Sequence, residues 1–181
     1  MIVLSRRVAT PLLDGLFLLL CWLLLIVNPA QSENAKPIAD YVLIVAWDMG
    51  RPTDIDVYVQ GPDLRVVWYR DKDAGYMSVD RDDLGRVRDN GPINQEVVSL
   101  REPPDGSYLI TIHTYRDPVA EPGHVALLLQ HRSGTVVWHA ELPMPPNDAE
   151  VGVVELVFVE HMFRKSYPST ALIRHAARRG P

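Results

Sequence analysis

The sequence predicts an all-β fold, a sandwich of immunoglobulin-like or jelly-roll type, preceded by one N-terminal transmembrane helix. Three observations carry this. From Leu16 to Val27 the chain reads LFLLLCWLLLIV, twelve residues without a polar group. Beyond residue 40, apolar and polar residues alternate in short runs, as Ile55, Val57 and Val59 do with Asp56, Tyr58 and Gln60. Turn signals such as Gly61-Pro62-Asp63 and Pro103-Pro104-Asp105-Gly106 separate these runs.

Taken in order, residues 1–10 form a cytoplasmic start, 11–28 the membrane helix, 29–39 a polar linker, 40–160 the β-sandwich domain and 161–181 a basic tail. The helix starts at Pro11, with Thr10 as N-cap and proline at the first helical position, where no N–H is needed. The seventeen residues to Val27 span roughly 25 Å at 1.5 Å per residue, short but sufficient with tilt. Arg6 and Arg7 precede the run, and NPAQSENAK after it has little positive charge. The positive-inside rule then places the N-terminus in the cytoplasm and, for a single-pass anchor, everything from Asn28 onward outside. A cleaved export signal ending at Ala30 is the competing reading. Asn28 fits its −3 position poorly, and Asp14 is unusual inside such a segment.

Strands are predicted at Tyr41 to Trp47, Ile55 to Gln60, Arg65 to Tyr69, Tyr76 to Val79, Glu96 to Leu100, Ser107 to Tyr115, His124 to His131, Thr135 to Glu141 and Val151 to Val159. No helical pattern of useful length appears between them. Trp47, Trp68 and Trp138 are expected in the core or at its rim.

The net charge of −5 is unevenly spread, with eleven of the fifteen aspartates between Asp40 and Asp89. An acidic middle argues against nucleic acid as the main partner. Arg164, Lys165, Arg174, Arg178 and Arg179 make the tail basic, the pattern of a solvated, frayed end. The single cysteine, Cys21, lies in the apolar run, so one chain holds no disulfide framework, zinc site or thiol chemistry.

Asp54 and Asp56 stand two apart on a strand and share a face, while Asp80, Asp82 and Asp83 form a turn ending at Gly85, with Asp89 close behind. Ca²⁺ takes six to eight oxygens at about 2.3–2.6 Å, and these six aspartates are the candidate ligands. The alternative is that each caps a turn and stays solvated. Catalysis has no comparable signal: there is no Gly-x-Ser-x-Gly elbow, HExxH or glycine-rich phosphate loop, and a non-enzymatic protein is expected. The histidines are expected at strand edges or on the surface, unless the fold brings His113 near an aspartate.

An ionisable residue inside a span costs about 2.5–3.5 kcal/mol at the helix centre and usually serves a pathway or a pair. Asp14, one turn into the helix, is such a residue; at headgroup level it also reads as a solvated helix cap. Thr10-Pro11-Leu12-Leu13-Asp14 followed by a leucine-rich run resembles the start of the transmembrane helix in ExbD/TolR-type subunits and, more loosely, the B subunits of flagellar stators. The resemblance implies that Asp14 carries protons, that the helix pairs with a second copy, and that a ring of ExbB-, TolQ- or MotA-like membrane subunits surrounds it.

A second resemblance covers roughly residues 47 to 115. Asp54-Ile55-Asp56-Val57-Tyr58-Val59 with Gly61-Pro62-Asp63, Ser78-Val79-Asp80-Arg81-Asp82-Asp83 with Gly85, Gly91-Pro92, and Pro103-Pro104-Asp105-Gly106-Ser107-Tyr108 together resemble the YfaP-like exported bacterial β domains. This implies fold and export. The chain has Gly91-Pro92-Ile93-Asn94 where such domains have Gly-Pro-Glu.

The functional expectation is a membrane-anchored subunit of a proton-driven complex, with an extracytoplasmic sandwich that binds an envelope protein or the cell wall. The alternative is an exported or anchored Ca²⁺-binding interaction module with no motor role. A retained anchor predicts that protein extracted from membranes begins at Met1 or Ile2. Mass spectrometry finding the N-terminus at Gln31 would overturn both anchor and motor.

Overall fold

A computed structural model of the chain describes residues 14–20, 22–23, 38–84, 93–119 and 121–173. The chain divides into two compact units, Met1–Pro37 and Ile38–Pro181. In the first, residues 14–20 and 22–23 are helical, and Thr10 and Pro11 lie outside the described residues. Among the described residues no helix is long and apolar enough to cross a membrane.

The second unit is a sandwich of two five-stranded antiparallel sheets. Its strands are β1 (Tyr41–Trp47), β2 (Asp54–Gln60), β3 (Val66–Val67), β4 (Met77–Arg81), β5 (Gln95–Leu100), β6 (Gly106–Arg116), β7 (His124–His131), β8 (Val136–Pro143), β9 (Glu150–Val159) and β10 (Met162–Pro168). One sheet has the order β4-β5-β1-β7-β8 and the other β10-β9-β6-β2-β3. Each predicted strand is present, the third shortened to Val66–Val67. Met162–Pro168, expected as the start of the basic tail, is instead an edge strand paired to β9. Its register shifts between Phe163 and Lys165, which breaks the period of two that would have marked it.

β1 explains the first sheet. It is bonded on both sides, to β5 and β7, so its sequence YVLIVAW is apolar at every position. Tyr41, Leu43, Val45 and Trp47 point inward and are buried, packing in one core with Val98 and Leu100 of β5 and Val125, Leu127 and Leu129 of β7. The facing sheet adds Ile55, Val57, Val59, Tyr108, Ile110, Ile112, Val154, Leu156 and Phe158 to the same core. Each such large side chain contributes about 1.5–3 kcal/mol relative to exposure. The connection from β5 to β6 changes sheets, and Tyr108 Oη locks it by donating to Pro104 O at 3.0 Å.

β2 is buried on both faces. Its outer face is covered in part by residues 169–173, which follow β10. Ile173 is buried in a second apolar cluster with Tyr58 and Trp68, and its N–H donates to Glu150 Oε1 at 2.8 Å. This return path requires glycine beneath it. A Cβ on Gly152 of β9 would sit 2.5 Å from Ala171 O and 2.7 Å from Thr170 C, both backbone atoms with little room to give.

Gly152→Ala is therefore expected to lift the returning segment and lower stability by about 1–3 kcal/mol, the usual cost of overpacking. In a chain ending at Pro168 the same substitution should cost almost nothing. Denaturant unfolding of both pairs checks this; an equal loss in the shortened chain would contradict it.

Candidate metal site

The site forms where β2 lacks a neighbour. β3 pairs only with Val59 and Gln60, so the earlier part of β2 has an edge without a strand partner. An unpaired amide buried there would be costly. Glu96, 1% exposed, points inward from β5 on the same face as Val98 and Leu100, and its Oε2 accepts the Val57 N–H at 2.6 Å. A side chain of one sheet thus completes the backbone bonding of the other.

Two aspartates join Glu96. Asp56 lies on β2, one residue before that amide. Asp82 directly follows β4, in a loop held to β5 because Asp83 Oδ2 accepts the Gln95 N–H at 3.2 Å. One oxygen each from Asp56, Asp82 and Glu96 lies within 4.8 Å of the other two. Two oxygens on one ion at about 2.3–2.6 Å stand no more than about 5 Å apart, so the three fit a single hard cation. Among the described residues, Asp54 Oδ1 and Asp82 Oδ1 are buried without a hydrogen-bond partner. Native proteins rarely leave such atoms unpaired, and a cation is one way to satisfy them.

The charges are crowded. Burial, and then the charges of Asp56 and Asp82, push the Asp54 carboxyl up from 3.8 to about 7, with Arg116 opposing. Burial and the charge of Asp56 hold Glu96 well above the usual carboxylate range, although the Val57 N–H favours its anion. Lys72 Nζ reaches Asp82 Oδ2 at 2.8 Å and leaves Oδ1 facing inward.

His113 buttresses the site from behind. It stands opposite Asp56 in the β2–β6 register and is 1% exposed. Nδ1 lies 3.3 Å from Asp56 Oδ2 and Nε2 lies 3.2 Å from Asp148 Oδ1, an arrangement that orients a ligand carboxylate. The surface position expected for the histidines fails for this one, because its strand is covered on both faces there. Trp47 is in the core, Trp68 in the second cluster and Trp138 half-buried at the rim.

Of the six predicted ligands, the fold brings Asp56 and Asp82 together, with Asp54 beside them. Asp83 acts one step back through the Gln95 amide and an ion pair to Arg81 at 3.5 Å. Asp80 lies elsewhere: it accepts hydrogen bonds from Ser78 and Ser99 and pairs with Arg101. Asp89 lies outside the described residues. Glu96 and His113 are not among the six. Glu96 did leave a signal, a carboxylate at an inward position of an alternating strand; for His113 the sequence offers only a histidine that the fold could bring near an aspartate, and the fold does bring it to Asp56.

Compared with protein-family models, curated proteins and solved structures, the chain matches none.

The raised Asp54 pKa fixes the sign of a pH effect in chelator. Between its ordinary value near 3.8 and about 7 the native state binds more protons than the unfolded chain, so this group's contribution falls as pH rises across that window. Relative to wild type, Asp54→Asn should gain stability from pH 4 to pH 7 and level off above. A pH-independent difference in urea midpoints would contradict it.

Proposed function

We propose that the chain is an exported or membrane-anchored, non-enzymatic interaction module whose β-sandwich holds a hard divalent cation, Ca²⁺, between Asp56, Asp82 and Glu96. One observation carries the reading: an oxygen each from Asp56, Asp82 and Glu96 converge within 4.8 Å, and the buried Oδ1 atoms of Asp54 and Asp82 have no hydrogen-bond partner among the described residues. All-oxygen donors of this kind suit Ca²⁺ better than softer metals. The cation would tie the loop after β4 to β2 and β5, joining the two sheets and shaping the adjacent surface for an envelope protein or the cell wall.

The sandwich itself we assign to the immunoglobulin-like class. In the order β1 to β6 the strands follow B, C, C′, D, E and F of that fold, with β1 beside β5 beside β4 and β2 beside β6. The Tyr108 to Pro104 bond at the start of β6 corresponds to its tyrosine corner. β7 then takes the place beside β1.

A motor role extends this reading and rests on the Thr10 to Asp14 wording. Asp14 is the first described residue of the helical stretch and is exposed there. In that role it would carry protons against an ExbB-, TolQ- or MotA-like subunit, and the outer domain would be the part that is moved.

Ca²⁺ at one hundred times its Kd should stabilise the domain by about 2.7 kcal/mol, seen as a higher Tm. The shift should vanish in an Asp56→Asn, Glu96→Gln double variant and persist in Asp80→Ala. No shift at millimolar Ca²⁺, or an equal shift in the double variant, would remove the site.

A further inference from the structure

β8 is the last strand of its sheet, and among the described residues its far edge has no partner. Sheet edges invite pairing with other chains unless they are short, charged or bulged. β3 has two residues. β4 is bulged at Asp80 and carries Arg81. β10 carries Arg164 and Lys165, has a bulge between Phe163 and Lys165, and ends at Pro168. β8 is eight residues long; it too has a bulge, at Val137, and ends at Pro143, but between them it runs regularly from Trp138 to Leu142 with no lysine or arginine.

Its hydrogen-bonding parity follows from its neighbour. Met144 N–H donates to Gly123 O at 2.8 Å, in the same register as the β7–β8 pairs. Stepping back by two puts Leu142, Ala140 and Trp138 in the pairs that bond β7, and leaves His139 and Glu141 with N–H and C=O turned to the open edge. The side chains of His139 and Glu141 are exposed, while Trp138, Ala140 and Leu142 are half-buried on the inner face. Among the described residues neither His139 nor Glu141 has a hydrogen-bond or ion-pair partner.

We propose that a second copy of this chain occupies the edge, the two β8 strands running antiparallel about a two-fold axis at Ala140. Parity allows this axis because His139 and Glu141 both present backbone groups outward, so His139 meets Glu141 of the other copy in a pair exchanging two hydrogen bonds, twice over. Charge selects it. An axis at His139 sets histidine against histidine, and one at Glu141 sets two carboxylates opposite each other, which is destabilising. The axis at Ala140 gives two His–Glu pairs. On the inner face Trp138 meets Leu142 of the other copy on both sides of Ala140, covering the two apolar side chains that the single sandwich leaves half-exposed. The inference is independent of the cation site.

The test uses the full-length chain in detergent with Cys21 replaced by serine. Opposed Ala140 residues form a non-hydrogen-bonded pair with Cα atoms about 4.5 Å apart, within disulfide range. Ala140→Cys should give a disulfide-linked dimer as the main product of mild oxidation, whereas Ser133→Cys in the exposed β7–β8 turn should not. His139→Glu should abolish the Ala140→Cys crosslink by opposing carboxylates, and the exchange His139→Glu with Glu141→His should restore it. Equal crosslinking at Ala140 and Ser133 would overturn the dimer. A crosslink unchanged by His139→Glu, or not restored by the exchange, would overturn the register.

Discussion

The bond from the Val57 amide to Glu96 is the contact around which the acidic end of the sandwich is organised. β2 is buried on both faces, yet β3 covers only its last two residues. A buried strand edge has to find hydrogen-bond partners. Here the partner is a carboxylate from the opposite sheet, which places a second acid beside those that β2 already carries. The fold solves a backbone problem by creating an electrostatic one.

The cluster follows from that exchange. Asp54 and Asp56 belong to it because they stand on β2 itself, next to the Val57 amide that Glu96 serves, and Asp82 because Asp83 fastens the loop to β5. Nearby positive groups compensate in part: Lys72 contacts the outer oxygen of Asp82, Arg116 acts at a distance on Asp54, and His113 supports Asp56. Among the described residues, two buried carboxylate oxygens, Asp54 Oδ1 and Asp82 Oδ1, remain without a partner. A divalent cation supplies charge where these side chains do not reach, and it would replace repulsion between the sheets with a shared bond.

The legible parts of the fold are those where local chemistry repeats. Alternation located β2, because a pleated strand points successive side chains to opposite faces. β10 was hidden because charges at Arg164 and Lys165 and a bulge erase its period. The same device explains Asp80. The β4–β5 register shifts between Val79 and Arg81, so Asp80 turns toward Ser78 and Ser99 while Asp82 turns toward the cluster. Two aspartates in one sequence turn gave no sign that they would part. Glu96 was visible only as a misplaced charge, since what it serves, an amide left uncovered by a short strand, is a fact of tertiary structure.

The position of β1 also bears on how the chain reaches its native state. β1 is the first strand among the described residues, and it lies at the centre of its sheet, between β5 and β7. Tyr41 pairs with Leu100 on one side and with His131 on the other, so most of the domain must exist before this strand is satisfied. Such non-local pairing gives high contact order and slow folding. Meanwhile YVLIVAW, uncharged and free of proline, is the kind of segment that stacks with its own copies. Within the sandwich domain, a newly made chain is thus vulnerable to aggregation at this strand, and whatever shields that heptad until β7 appears governs the yield of folded domain.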